Sequence, residues 1–371
     1  MSGQLTMSRL LLKMKEVKAS DLHIKVGSPP VLRVAAVIHK IDAPELSGAD
    51  THELLKVIIP PHLAQTLEVK GGIDFSHHEA GGERYRCSVF RANGGLHAAI
   101  RRVNPQVPSF NDLQLPPIYS KVAHDVHEGL VVICGVTGSG KSSTLAAIID
   151  HINTLHPANI ITIEDPVEYV FRPKLGVISQ REVGLDVPDF ATALRGAVRQ
   201  DPDVIMIGEM RDRETMLAGL MAAETGHLVF VTLHTADTMQ SFSRILEFFP
   251  SNEHSFIRSS MASGLQAVMA QRLLPSIKPG VRVVPATEVL LNTPIVRDRI
   301  REAGDEDFPA IIASSGPEGM HSFTDSLVRL VEEDFIDLKV AEQFAPNRDA
   351  LVSRIRGLEL PADKLIQRVK R

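Results

Sequence analysis

Only two cysteines, Cys87 and Cys134, occur in 371 residues, and they form no CxxC pair. That rules out a disulfide framework. Each lies in an apolar run of strand character, so both read as small buried hydrophobes, which suits a reducing cytoplasm. Long apolar stretches are also missing: none approaches the roughly 18 residues of a membrane-spanning helix. The N-terminal run Leu10 to Leu12 is cut at once by Lys13 and Lys15, which argues against a cleaved signal. Basic residues are not in excess. The net charge of −5 speaks against a dedicated nucleic-acid binder, whose usual mark is a basic footprint. The chain has no low-complexity tract and no strong internal repeat.

What is present is 44% hydrophobic residues, ample for real cores, in a chain long enough for two domains. Residues 1–103 read as a small α+β domain on an antiparallel sheet. Ser8 to Lys18 has amphipathic helical spacing, Leu22 to Val26 alternates as a strand, and Gly27 to Pro30 makes a turn. Arg84 to Phe90 and Leu96 to Val103 are β-like runs joined through Asn93, Gly94 and Gly95, a hairpin signal. Residues 104–117 hold Pro105, Pro108, Pro116 and Pro117 with little periodicity, and read as a linker.

From 118 to 371 apolar strand-like runs alternate with helical segments. The runs are Val131 to Cys134, Ile160 to Ile163, Val204 to Ile207, Leu228 to Thr232 and Val281 to Leu291. Such alternation predicts an α/β domain with a largely parallel sheet covered by helices. Gly226 is placed to end the helical stretch from Glu214 to Glu224. The last part, about 294–371, reads as a helical extension rich in Arg, Glu and Asp.

The most specific signal is GVTGSGKSS at 135–143. An apolar strand precedes it, and Leu145, Ile148, Ile149, Ile152 and Leu155 follow at helical spacing. Strand, glycine loop and helix in that order define a phosphate-binding loop. Gly135, Gly138 and Gly140 let backbone N–H groups close on phosphate oxygens, where a Cβ would obstruct. Lys141 is placed to reach the β and γ phosphates, Ser142 to give a hydroxyl to Mg²⁺, and the helix N-terminus adds positive potential. Thr137, Ser139 and Ser143 complete the candidate nucleotide-binding set. ATP and Mg²⁺ are the expected ligands.

Acids follow two of the apolar strands, where ligands approach an open α/β sheet. Glu164 and Glu168 follow one and Glu209 the other. Acids so placed hold Mg²⁺ through water or orient a water for attack on phosphorus. Thr225 to His227 and Leu233 to Thr235 bracket the strand Leu228 to Thr232. His227 and His234 are therefore candidates to sense the γ phosphate or bridge subunits, with a satisfied structural histidine as the alternative for each; neither has the company of a zinc site.

GVTGSGKSS, TIEDPVEYV, RQDPDVIMIGEMRDRET and AAETGHLVFVTLHT, in that order and spacing, resemble the Walker A, Asp, Walker B and His boxes of the type II/IV secretion ATPase superfamily. Ala19 to Ile24, Gly208 to Asp212, Gln271 to Leu273 and Asn292 to Glu302 extend the resemblance over almost the whole chain. They point to the type IV pilus retraction ATPases of the PilT/PilU kind. The resemblance implies a PAS-like N-terminal domain joined flexibly to a RecA-like ATPase domain, in a homo-hexameric ring. It further implies that Lys141 and Ser142 bind phosphate and Mg²⁺ and that Glu209 supports the metal. An Asp-box glutamate, Glu168 in preference to Glu164, activates water. Arg86 and Arg101 match arginines that the family sends from the N-terminal domain into the active site. The implied partners are an inner-membrane pilus platform protein, through which the ring meets the membrane peripherally, and a paralogous retraction ATPase.

Val296 to Glu302 only approximates the signature associated with retraction, and the ending from Gly319 onward matches the accessory PilU-like branch about as well as the principal one. Assembly and secretion motors typically carry a four-cysteine zinc module, which two isolated cysteines cannot supply. Two other classes use the same loop: a nucleic-acid translocase, and a nucleotide-gated partner with negligible turnover alone.

Overall fold

Met7, Leu10, Leu11 and Met14 share one face of helix α1 (Met7–Glu16), and all four are buried. Thr6 caps the helix by accepting from the Arg9 N–H, and Lys18, at φ 53°, stands in the left-handed region just beyond its end. In the computed structural model the described residues are 5–34, 37–79, 83–103 and 106–356. Asn104 and Pro105 of the predicted linker, and the predicted helical extension beyond 356, lie outside them. The chain divides into two units, residues 1–106 with 168–170, and residues 107–167 with 171–371. Residues 107–117, read as linker, thus cluster with the second unit.

In the first unit α1 is followed by β1 (Asp21–Ile24), β2 (Val31–Val34), β3 (Val37–Lys40), α2 (Gly48–Leu55), α3 (Ala64–Lys70), β4 (Gly72–His78), β5 (Arg84–Ala92) and β6 (Gly95–Arg102). The six strands form one sheet in the order β3-β2-β1-β6-β5-β4, with every pairing antiparallel. Asn93 and Gly94, both at positive φ (48° and 74°), make the two-residue turn between β5 and β6, whose twist matches that of the strands. Leu22, Ile24, Tyr85, Cys87, Val89, Ala98 and Ile100 are buried in this unit's core. Residues between them take the other face. Ser76, Arg86, Arg101, Asp21 and Arg33 stand opposite one another in a row across five strands.

The second unit contains α4 (Pro117–Asp125), β7 (Gly129–Cys134), α5 (Lys141–Leu155), β8 (Asn159–Glu164), β9 (Val177–Glu182), α6 (Phe190–Ala197), β10 (Val204–Ile207), α7 (Arg213–Glu224), β11 (Leu228–Leu233), α8 (Thr238–Glu247), α9 (His254–Gly264), β12 (Leu265–Pro275) and β13 (Val283–Leu291). Five helices close it: α10 (Pro294–Glu302), α11 (Phe308–Ser314), α12 (Phe323–Glu332), α13 (Leu338–Phe344) and α14 (Arg348–Ile355). Its seven strands run in the order β13-β12-β7-β11-β10-β8-β9, and only the β12–β13 pair is antiparallel. Every residue of β7, β10 and β11 is buried, so both faces of the sheet are covered there. The predicted runs become β7, β8, β10, β11 and β13, while β9 and β12 are additional. Val296, Ile300, Phe308, Phe323 and Leu327 from the C-terminal helices join the same core. Among the described residues no helix is long and apolar enough to cross a membrane.

Cys87 and Cys134 are free and buried, and burial pushes both thiols up to about 12. His321 is held the other way. Burial depresses its pKa below the ordinary value, and its Nε2 lies 2.7 Å from Thr287 Oγ1. The unfolded chain therefore takes this proton first as pH falls, and the ring's contribution to stability declines below about 6.5. Thermal melts should show stability falling from pH 7.5 to 5.5. His321→Gln should flatten that slope; an unchanged slope would remove His321 from the titration.

Candidate active site

The phosphate loop lies where β7 leaves the sheet. A Cβ on Gly135 would fall 2.4 Å from Ser139 Oγ and 2.5 Å from Gln271 O, so this turn excludes any side chain there. Gly138 and Gly140 take φ of 81° and 89°, the left-handed region that glycine adopts without strain. Lys141 is buried, and its Nζ donates to Gly135 O at 2.7 Å and Val136 O at 3.2 Å, which holds the ammonium inside the loop. Helices α6, α7, α8 and α12 have side-chain N-caps from Asp189, Asp212, Asp237 and Ser322, whereas α5 begins at Gly140 with none. Its first-turn N–H groups keep their positive end for an anion. Ser142 and Ser143 are half-buried in that turn.

Three further predicted residues reach the same edge of the sheet. Register pairs Ile163 with Ile207, Ile207 with Val231, and Leu233 with Cys134, so Glu164, Glu209, His234 and Gly135 all follow the strand ends together. Gly208 N–H donates to Ile163 O, Met210 N–H donates to Thr232 O, and Thr232 Oγ1 donates to Gly208 O. The turn bearing Glu209 is thereby clamped between β8 and β11. The Glu209 carboxylate meets Arg211 and lies 3.2 Å from His234 Nε2, while His234 Nδ1 lies 3.5 Å from Thr137 Oγ1. A neutral imidazole donating to Glu209 accepts from Thr137, so one ring links the phosphate loop to the second acidic strand. Arg211 also lies 3.4 Å from Asp165 Oδ2.

The two Asp-box glutamates differ in setting. Glu164 is buried, and its Oε1 accepts from Thr162 Oγ1 at 2.7 Å and Gln180 Nε2 at 3.0 Å. Glu168 is exposed and groups with the first unit. Of the two arginines, Arg101 donates through Nε to Asp21 Oδ1 at 2.8 Å, whereas the side chain of Arg86 makes no hydrogen bond or ion pair among the described residues.

His227 stands apart. It precedes β11, whose first residue pairs with Gly129 at the start of β7, so it lies at the sheet edge opposite the phosphate loop. The six residues of β11 span roughly 20 Å. Its Nδ1 lies 3.0 Å from Ala222 O and 3.2 Å from Thr225 Oγ1, which fixes the end of α7. Within one chain His227 therefore does not sense the γ phosphate, contrary to one expectation from the sequence. The site also uses side chains that local motif reading gave no role: Thr144, Gln180, Arg211 and Gln271.

The donors suit a metal–nucleotide complex. Among the described residues no cluster of His, Cys, Asp or Glu is able to hold a metal on its own. Mg²⁺ bound to phosphates needs only one or two protein ligands and keeps several waters. Ser142 in the first turn of α5, and Glu209 through water, match that demand.

A largely parallel sheet with a phosphate loop at one strand end and clamped acids at its neighbours defines a RecA-like P-loop ATPase. The family model described as type II/IV secretion system protein matches residues 84–321, and the chain belongs to that family. It is similar to the type IV pilus retraction ATPase PilT of Pseudomonas aeruginosa, with 38% identity over 327 residues, 88% of this chain and 94% of that one. Its identity to the type IV pilus ATPase PilU of the same organism is 36% over 359 residues, 96% and 93% of the two chains. The solved structure of the pilus retraction motor PilT with bound ADP superposes with a TM-score of 0.86 at 39% identity, over 93% of this chain and 98% of that one.

Proposed function

We infer that this chain is the ATP-hydrolysing subunit of a type IV pilus retraction motor, and so drives twitching motility. The observation that carries this reading is the connected line from the phosphate loop through Thr137 and His234 to Glu209. It sets a carboxylate from another strand in a fixed position beside the loop, and positioning of this kind is what catalyses phosphoryl transfer. The α5 N-terminus and Lys141 hold the phosphate charge. Mg²⁺, held by Ser142 and through water by Glu209, would neutralise charge between the phosphates. Glu168 takes a proton from the attacking water. Arg86 and Arg101 of a neighbouring subunit meet the charge that develops on the transferred group. On this reading the protein works as a cytoplasmic homo-hexamer at the inner face of the membrane, against a pilus platform protein and without nucleic acid. ATP favours a closed subunit and hydrolysis releases it, so turnover becomes rigid-body motion.

The test is specific ATPase activity against protein concentration, with Mg²⁺. Activity per subunit should rise with concentration, because sites completed by a neighbour's arginines need assembly. Concentration-independent turnover by a chain that is monomeric under the assay conditions would remove those arginines from the mechanism. Negligible turnover with ATP bound would favour an accessory, PilU-like subunit acting with a paralogous ATPase, a reading that the 36% identity to PilU over 96% of the chain keeps in play. Stimulation by DNA or RNA would instead mark a translocase.

A further inference from the structure

Gln271 is not a nucleotide-contacting residue in the reading above, yet it is built into the phosphate loop. We propose that Gln271 is a positioning residue for ATP hydrolysis: it fixes the Ser139–Gly140 peptide so that the Gly140 N–H faces the phosphate. The proposal rests on the ATPase reading and adds a determinant to it.

Strand β12 lies beside β7 with Ala270 paired to Cys134, so the next residue, Gln271, sits beside Gly135 where the loop leaves the sheet. Its side chain is buried at 1% exposure. Both ends of the amide are engaged: Nε2 donates to Ser139 O at 2.7 Å, and Oε1 accepts from Thr144 Oγ1 at 2.9 Å. The Ser139 carbonyl fixes which way the amide points, since it only accepts and so takes Nε2, and the Thr144 hydroxyl then donates to Oε1. A Cβ on Gly140 would come within 3.2 Å of Gln271 Nε2, and one on Gly135 within 2.5 Å of Gln271 O. The loop therefore rests directly on this residue.

The peptide unit makes the contact matter. In a planar trans peptide, C=O and N–H point in opposite directions. Anchoring Ser139 O on Gln271 turns the Gly140 N–H away from the sheet, toward the open side of the loop. Gly140, at φ 89°, would by itself tolerate the flipped peptide about as well. A flip would present a carbonyl oxygen to phosphate in place of a donor. Gln271 thus selects, from a distance of one peptide, the loop conformation that binds an anion.

The experiment compares the full-length chain with Gln271→Met and Gln271→Glu, reading ATP affinity with a fluorescent ATP analogue, together with kcat and KM, from pH 5.5 to 8.5. Each variant should remain folded and lose about tenfold in affinity, the scale of one buried hydrogen bond, with kcat at saturation changed much less than kcat/KM. Gln271→Met should show that loss at every pH. Gln271→Glu should recover toward the unmodified chain as pH falls. A protonated carboxyl both donates and accepts, so it restores both bonds, and burial brings its titration into the accessible range. Thr144→Val supplies a second approach: taking away the anchor on Oε1 should weaken affinity several-fold without the pH-dependent recovery. Wild-type affinity in both Gln271 variants, or a Gln271→Glu loss as flat in pH as that of Gln271→Met, would overturn the proposal. Failure of the unmodified chain to bind ATP is a separate result that would overturn the ATPase reading itself.

Discussion

Lys141→Ala is expected to lower the turnover of ATP at least about 1,000-fold, on the scale of losing a preorganised charge from a transition state. The lysine is the one ammonium inside the loop, held there by the carbonyls of Gly135 and Val136. Alanine removes the cation but leaves the glycine geometry and the α5 N-terminus in place. The fold should therefore survive, with a melting temperature changed by no more than a few degrees. Steady-state hydrolysis and a thermal melt on the same preparation separate the two effects. Substantial turnover by a folded variant would take the loop out of the mechanism, whatever the resemblance to other motors.

The second large effect concerns the Asp box. Glu168→Gln should bind ATP normally and hydrolyse it at least about 100-fold more slowly, the loss expected for a positioned general base. Glu164→Gln should be milder. Glu164 is buried and already accepts from Thr162 and Gln180, so its oxygen is committed to holding β8 and β9 together. Glu168 is exposed, which a residue that must meet a water requires. Single-turnover hydrolysis with nucleotide saturating distinguishes them. If Glu164→Gln is the dead variant and Glu168→Gln turns over, the base is Glu164.

The catalytic edge was readable in the sequence because its chemistry is local. Gly135 to Ser143 must be contiguous to wrap a phosphate, and buried parallel strands announce themselves as apolar runs ending in acids. What the sequence concealed was non-local or ambiguous in period. Val177 to Glu182 ends Ser-Gln-Arg-Glu and reads as a polar loop, yet it pairs with β8 along its whole length as an edge strand. Leu265 to Pro275 starts directly after Gly264, the last residue of α9, so helix passes into strand with no connecting segment to separate the two apolar patterns. Gln271 acts on residues 127 and 132 positions away, a relation that no window captures. His227 and His234 look equivalent beside one apolar run. A strand has two ends, and only pairing says which of them faces the loop.

Arg86 stands directly opposite Arg101, and Asp21 pairs with both Arg101 and Arg33. Like charges opposed across a sheet work against its pairing. The two opposed guanidinium groups make a place that an anion would favour. In the proposed ring that anion would be the nucleotide of a neighbouring subunit, so ATP would act as a folding ligand for a domain that does not own the phosphate loop. Assembly and durability would then become the same property: a subunit outside such a ring would be not only idle but also easier to unfold.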